Sequence, residues 1–141
     1  MEHADKTHEG SRKTWAKAIF ISVFLCIWLT LMTAGLMAGA CRQDRYQGEK
    51  KLRFCNISLT AAEPFKIFPI ERAKGSIIHL ERGIALAQME HDEDAIDAFA
   101  QAVISSRVTR GSFERELHKR MRGLEDERIV ALWNSVVRAI E

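Results

Sequence analysis

The densest group of potential metal ligands in the sequence is the run His91-Asp92-Glu93-Asp94. Imidazole and carboxylate groups bind divalent cations, but four consecutive residues at a helix start point in different directions and cannot converge on one ion. Acidic side chains also favour a helix start, because they accept hydrogen bonds from its free amides and lie at the positive end of its dipole. We therefore interpret the run as a helix start, and we expect no metal and no cofactor.

Catalytic motifs are missing from the sequence, which has no phosphate-binding glycine loop, no GxGxxG, no HExxH and no CxxC. The basic run His118-Lys119-Arg120-Met121-Arg122 could contact phosphates or lipid headgroups. Glu114, Glu116 and Glu125 lie around it, however, which favours a solvated helix face. A formal net charge of +2 excludes a strongly basic nucleic-acid-binding protein. We expect neither an enzyme nor a partner that is a nucleic acid.

Two cysteines, Cys41 and Cys55, lie in or beside a polar segment with 13 residues between them. Two nearby cysteines outside a packed core favour a disulfide and an oxidising compartment. Two free thiols are the alternative. The third cysteine, Cys26, lies in an apolar run and is expected to be an ordinary apolar side chain.

An apolar run occupies residues 18–41, which carry no charge. As a helix, these 24 residues would extend about 36 Å, enough to cross a hydrocarbon core of about 30 Å with some tilt. Trp15 precedes the run, where an amphipathic ring favours the headgroups. The sequence predicts one membrane-spanning helix after a short cytoplasmic tail, residues 1–17.

A cleaved signal peptide is the alternative, since Ala38-Gly39-Ala40 places small residues before Cys41. A lipoprotein would carry its lipid on Cys41, but Ala38 stands where leucine is usual. The apolar core of about 20 residues is also longer than the 7–15 residues of a signal peptide.

The flanking charges leave the topology open. Four basic residues precede the run and five follow it, which slightly favours a cytoplasmic C-terminal side. The short tail and the cysteine pair argue for the opposite orientation. We predict a single-pass protein of a bacterial inner membrane, with a cytoplasmic N-terminus and a periplasmic C-terminal domain.

Gly35 and Gly39 are four residues apart in the run, beside Ala34 and Ala38. Small residues at this spacing let two membrane helices approach closely. The pattern predicts a helix–helix contact in the membrane and a homodimer. The alternative is that glycine and alanine are simply common in membrane helices.

Residues 42–69 form a basic segment that contains both prolines, Pro64 and Pro69. Lys51-Leu52-Arg53-Phe54 alternates between polar and apolar residues, as a short strand does. We interpret the segment as a folded-back linker that contains the disulfide. Its apolar end would cover the following domain with Phe65, Ile67 and Phe68.

Residues 70–141 repeat apolar residues at spacings near three and four, which predicts amphipathic helices. Ile77, Leu80 and Ile84 belong to a first helix. A turn near residues 90–92 leads into a second helix, and the two form a helical hairpin.

This hairpin resembles the tetratricopeptide repeat (TPR). The resemblance is carried by Arg82-Gly83 in the first helix and by Ala95-Ile96, Phe99 and Ala102 in the second, at the spacing of the 34-residue pattern. Glu90 replaces the usual turn glycine. The resemblance implies that the repeat core consists of Gly83, Ala95, Phe99 and Ala102. It also implies that the first helix lines a partner groove with His79, Arg82, Leu86 and Met89.

Adding 34 to three of these positions gives Ile129, Trp133 and Val136, all apolar. Residues 112–122 and 125–140 therefore resemble a degenerate second hairpin, with two unrelated amphipathic helices as the alternative. The predicted fold is all-α: one N-terminal transmembrane helix followed by a short TPR-like domain of the α-solenoid type.

Charge is segregated along the chain. Residues 75–104 carry six acids and one arginine, whereas residues 42–74 and 105–141 are basic. We expect these acids to pair with the basic flanks within the chain or in a dimer; binding of a basic partner is the alternative.

These patterns predict a membrane-anchored adaptor or assembly factor that binds another protein or a membrane protein complex. About three repeats are normally needed for stability, so an apolar face of this short domain needs a cover. The alternative function is a structural accessory subunit of a membrane enzyme complex, held mainly by its transmembrane helix.

Overall fold

The computed structural model describes residues 5–65, 69–106, 110–121 and 124–141, and these ranges contain six α-helices. A short 3-10 helix, Glu63–Phe65, follows the second of them. Every regular element in the described ranges is helical, which confirms the all-α class. The helices are α1 Asp5–Cys41, α2 Gly48–Ala62, α3 Pro69–Gln88, α4 Asp92–Ser105, α5 Arg110–Arg120 and α6 Asp126–Ala139.

The first helix, α1, has 37 residues, and its section Thr14–Cys41 is long and apolar enough to span a membrane. Large apolar side chains are exposed along this section, from Trp15 at 73% to Leu36 at 70%. A helix that is apolar on all sides is normally covered by lipid or by other protein. The predicted anchor is therefore one part of a longer helix that begins at Asp5.

The C-terminal turns of α1 pack against α2 and do not share this exposure. Cys41 is fully buried, and Ala38 packs in the same cluster. The Ser58 hydroxyl donates a hydrogen bond of 3.1 Å to the Ala34 carbonyl. The predicted span of residues 18–41 is thus divided: its beginning is exposed, and its end belongs to the folded domain.

A helix, α2, occupies most of the segment that was interpreted from the sequence as a linker, including the Lys51-Leu52-Arg53-Phe54 alternation. The buried residues of α2 are Lys51, Cys55 and Ser58, spaced four and three apart as on one face of a helix. None of these residues is a large aliphatic one, so the apolar pattern missed the buried face. The segment predicted as a linker does fold back along α1, but as a helix.

The predicted hairpin is formed by α3 and α4, which are joined by a tight turn. The His91 amide donates to the Leu86 carbonyl and the Glu90 amide to the Ala87 carbonyl, at 3.0 and 3.2 Å, as in a Schellman helix end. Glu90 has a φ of 63°, the left-handed conformation that glycine favours. The absent turn glycine therefore leaves a strained glutamate in its place.

Phe99 of α4 lies at the centre of the core and is fully buried. A Cβ added to Gly83 would lie 2.5 Å from two carbons of the Phe99 ring, so only glycine lets the ring sit against α3 at this distance. Ala95 and Ala102 are also fully buried. The four residues assigned to the repeat core thus meet in one cluster.

The C-terminal helices α5 and α6 lie close to the two ranges predicted for a degenerate second hairpin, residues 112–122 and 125–140, while the TPR-like arrangement of that hairpin stays a prediction. Ile129, Trp133 and Val136 are buried, as is Leu117 of α5. The rings of Phe113 and Trp133 stack with centroids 5.9 Å apart. Both helices therefore extend the core formed by α3 and α4.

The cover of the first hairpin is α2, from which Leu52 packs against the core. Phe65 is half-buried, whereas Ile67 and Phe68 lie outside the described residues. Covering by the segment before α3 is therefore seen for its described helical part, α2. Covering by a second copy stays a prediction.

We expect Gly83→Ala to lower the free energy of unfolding by about 1–3 kcal/mol, because the new methyl group overlaps the Phe99 ring. The matched control is Gly75→Ala in the same helix, where an added Cβ meets nothing within 4 Å. That change should raise the free energy of unfolding by up to about 1 kcal/mol through helix propensity. Urea unfolding of both full-length variants measures the difference, and equal effects would contradict the close packing.

Candidate functional site

A polar cavity of about 660 Å³ lies where α1 ends and the rest of the domain begins. Its walls come from four helices and from the connection between α1 and α2. In that connection Arg45 lies over the Tyr46 ring at 4.8 Å, and Tyr46 meets Phe54 of α2 edge to face. The charged residues that line the cavity are Arg42, Asp44, Lys51, Glu81, Glu116, Lys119 and Arg120.

Glu81 of α3 is the central charged group of this cavity and is 1% exposed. The Lys51 ammonium of α2 lies 2.6 Å from one carboxylate oxygen, and the Arg120 guanidinium of α5 donates to the other. A buried carboxylate is tolerated only when paired and hydrogen-bonded. The three residues therefore join three helices through one buried ion cluster.

Arg120 extends the cluster toward the surface, since its Nε donates to Glu116 at 2.7 Å. This hydrogen bond lowers the pKa of the Glu116 carboxyl and raises the pKa of Arg120. A lowered carboxyl pKa stabilises the fold above the ordinary pKa of glutamate, and the effect is lost as the pH falls through the folded-state value. Because Glu116 is largely exposed, the pair contributes only about 0.3–0.5 kcal/mol.

A second ion pair closes the far end of the hairpin. Arg128 of α6 donates to the Ala87 carbonyl at 2.9 Å and to the Asp92 carboxylate at 2.6 Å. The hydrogen bond that Arg128 donates to Asp92 raises the pKa of Arg128. Acids of residues 75–104 thus pair with both basic flanks within the chain, as the segregation of charge predicted.

The acidic run starts α4, as the sequence predicted, but not by side-chain capping. The cap residue is His91, which makes no side-chain cap hydrogen bond, and Asp92, Glu93 and Asp94 fill the first turn. Their negative charge at the positive end of the helix dipole remains the reason for this position. Among the described residues, no three His, Cys, Asp or Glu side chains gather as a metal site requires.

The basic run on α5 is less solvated than the sequence predicted. Lys119 is exposed, but Arg120 is half-buried in the ion cluster, and Arg122 lies outside the described residues. Charge alone could not distinguish these positions, because Glu81 reaches Arg120 from 39 residues away.

The four residues assigned to a partner groove do not line an open groove in this structure. Leu86 is 4% exposed and belongs to the core, and Met89 is half-buried against it, close to Gly48 of α2. His79 and Arg82 are half-buried on the same helix. Leu86 is therefore part of the core, whereas contact of His79, Arg82 and Met89 with a partner stays a prediction.

Cys41 and Cys55 lie at disulfide distance, with their sulfur atoms 2.10 Å apart, while Cys26 is exposed on α1 and has no disulfide partner. The bond joins the end of α1 to the middle of α2. Gly35 and Gly39 lie on the same helix, and an added Cβ at either meets nothing within 4 Å. The close contact with α2 is made instead by the neighbouring Ala34 and Ala38.

We expect one alkylated thiol per chain when the protein is denatured without reductant and three after reduction, because only Cys26 is free in the disulfide form. Intact mass spectrometry counts the adducts, and Cys26 serves as the internal control for complete labelling. Three adducts without reductant would contradict the bond. In the chain-entropy model, removing the disulfide that closes this short loop lowers the free energy of unfolding by about 3 kcal/mol.

No protein-family model, no curated protein and no solved structure matches this chain.

Proposed function

We propose that this protein is a non-enzymatic, membrane-anchored adaptor or assembly factor with a TPR-like helical domain that binds another protein. The observation that carries the proposal is the junction between the apolar helix and the domain. A protein that needs only attachment can use a flexible linker. Here the junction is helical, crossed by a disulfide, and fixed by the hydrogen bond from Ser58 to Ala34. Such a junction holds a binding surface at a set height and orientation.

The ionisable groups of the polar cavity also support a structural role for its walls. Glu81 is neutralised by Lys51 and Arg120, and Glu116 by Arg120. These groups hold three helices together and are engaged with one another rather than with an open reaction space. This arrangement supports a scaffold in preference to a catalyst.

The proposed location is a bacterial inner membrane, with a cytoplasmic N-terminus and the domain in the periplasm. The support is the cysteine pair at disulfide distance, because disulfides persist in oxidising compartments. The test is acid quenching of intact cells followed by alkylation in denaturant without reductant, and full labelling of Cys41 and Cys55 would overturn this orientation.

The function is tested by exchanging the exposed part of α1, residues 15–30, for an unrelated apolar sequence while keeping the turns that pack on α2. Proteins that co-purify with the tagged full-length chain in mild detergent are identified by mass spectrometry. An adaptor keeps its partner after the exchange. The reciprocal variant, Phe99→Ala, keeps the span but disrupts the domain, and an adaptor loses its partner there.

The second candidate is an accessory subunit held by its transmembrane helix. It is favoured by the extent of exposed apolar surface on α1, where Phe20 is 74% exposed and Phe24 is 60% exposed. The same pair of variants separates the two functions. An accessory subunit loses its complex when residues 15–30 are exchanged and keeps it in Phe99→Ala.

A further inference from the structure

Two cavities follow each other along α1 and α3. The lower one, about 260 Å³, is lined by Gly35 of α1 and Ile78 of α3. The upper one is the polar cavity, lined by Gly39 and Glu81, each one helical turn further along the same helices. An added Cβ at either glycine meets nothing within 4 Å. Because Gly35 and Gly39 have no side chains, the space beside α1 is open in both cavities.

The lower cavity has the chemistry of an acyl-chain site. Its walls include the apolar side chains of Leu31, Leu59 and Phe65. The one hydroxyl group in its lining, on Ser58, already donates to the Ala34 carbonyl. Since one water occupies about 30 Å³ of liquid, the space holds about nine groups of that size. An apolar chain fits this lining, whereas a polar ligand would find no hydrogen-bond partner among these side chains.

The depth of the two cavities follows from the length of the anchor. A span of about 20 residues after Lys17 places the end of the hydrocarbon core near Met37. The charged residues of α2 end at Arg53, and residues 54–62 carry no charge. The start of α3 is charged again, through Glu71 and Lys74. Glu63 and Lys74, the sequence neighbours of Ala62 and Gly75 in the lower lining, are also charged. The lower cavity therefore lies at the boundary between hydrocarbon and headgroups, and the upper one lies among the headgroups.

The upper cavity offers cations at this headgroup level. Lys51 and Arg120 are engaged with Glu81, but Arg42 and Lys119 line the cavity and are exposed. Of the described acids in the lining, Asp44 is exposed, and Glu116 is partly exposed and paired with Arg120. Exposed Lys and Arg side chains near a membrane surface attract anionic headgroups.

We propose that one phospholipid with an anionic headgroup binds along α1, with an acyl chain in the lower cavity and its phosphate beside Arg42 and Lys119. The order of the two linings, apolar then cationic, matches the order of chain and headgroup in the leaflet on the domain side. This inference rests on the proposed membrane anchoring, and it assigns the two glycines to lipid rather than to a second helix.

Native mass spectrometry of the delipidated full-length protein in detergent, titrated with dioleoylphosphatidylglycerol or dioleoylphosphatidylcholine, tests the proposal. We expect one phosphatidylglycerol per chain. Gly35→Leu should bind it about tenfold more weakly, because the new side chain excludes about two methylene groups from the apolar site. Thr33→Leu, an exposed position on the same helix outside the cavity lining, should bind like the unaltered protein.

The headgroup part has its own variants. Arg42→Gln and Lys119→Gln should each reduce the preference for phosphatidylglycerol over phosphatidylcholine by about fivefold. Arg53, which is exposed and outside the cavity, supplies the control: Arg53→Gln should leave the preference unchanged.

Equal lipid binding by Gly35→Leu and Thr33→Leu would overturn the proposal, as would a dimer that Gly35→Leu converts to monomers. Alkaline extraction of membranes tests the anchoring separately, since a chain that stays in the membrane but binds no lipid refutes only the lipid site.

Discussion

Replacing Phe99 with alanine should lower the free energy of unfolding by about 3–5 kcal/mol, the usual cost of removing a large buried aromatic ring. Phe99 is fully buried, and its ring lies against the backbone of α3 at Gly83. Gly83, the position of α3 that faces the ring, has no side chain that could move into the space. Small domains have about 5–15 kcal/mol of stability in total, so much of the folded population should be lost.

The measurement is urea unfolding of the full-length protein in detergent, followed by the fluorescence of Trp133 after Trp15 and Trp28 are replaced with phenylalanine. Ile104→Ala on the same helix is the matched control, since Ile104 is 66% exposed and should cost less than about 0.5 kcal/mol. Similar midpoints for Phe99→Ala and Ile104→Ala would show that the hairpin is not packed around Phe99.

Replacing Glu81 with leucine should lower the free energy of unfolding by about 3–5 kcal/mol, because it leaves the Lys51 ammonium buried without a counter-charge. The side chain of Lys51 is 6% exposed, so water cannot replace the lost carboxylate. Arg120 is affected less, since it keeps its hydrogen bond to Glu116. The same urea experiment measures the loss.

A double variant separates the charge from the packing. Lys51→Met combined with Glu81→Leu leaves no unpaired charge and should recover most of the lost stability. Glu116→Gln is the surface control and should cost only about 0.3–0.5 kcal/mol. If the double variant is as unstable as Glu81→Leu alone, the buried lysine is not the source of the cost, and the role assigned to the ion cluster is wrong.

The helices of the C-terminal part were predictable because each buries a regular apolar face. Phe99 and Trp133 each mark a stripe at helical spacing, and the acids after His91 mark where α4 begins. The turn was also visible, although its strained Glu90 was not, since its backbone conformation depends on the Schellman hydrogen bonds. Apolar residues at helical spacing therefore predicted the helices whose buried faces are apolar.

The helix α2 was missed because it buries a lysine, a cysteine and a serine, which no apolar pattern can detect. The approach of Gly48 to Met89 was missed for the same reason. The segregation of charge predicted pairing within the chain or in a dimer, and the structure shows pairing within the chain. The segregation could not show that Lys51 and Arg120 meet on Glu81, because residues 30 and 39 positions apart are brought together only by the packing of three helices.

The continuity of α1 into the domain has a mechanical consequence. A helix that spans a membrane adjusts its tilt to the thickness of the bilayer, with an average tilt of about 20°. The last turns of α1 are fixed to α2, and α2 is fixed to α3 through Glu81. The domain and the helix must therefore turn together as one rigid body. An arm the length of α3, about 30 Å, then moves its far end by about 10 Å for a tilt of about 20°. In the proposed membrane anchoring, the thickness of the bilayer would thereby set the lateral position of the Glu90 turn over the lipid.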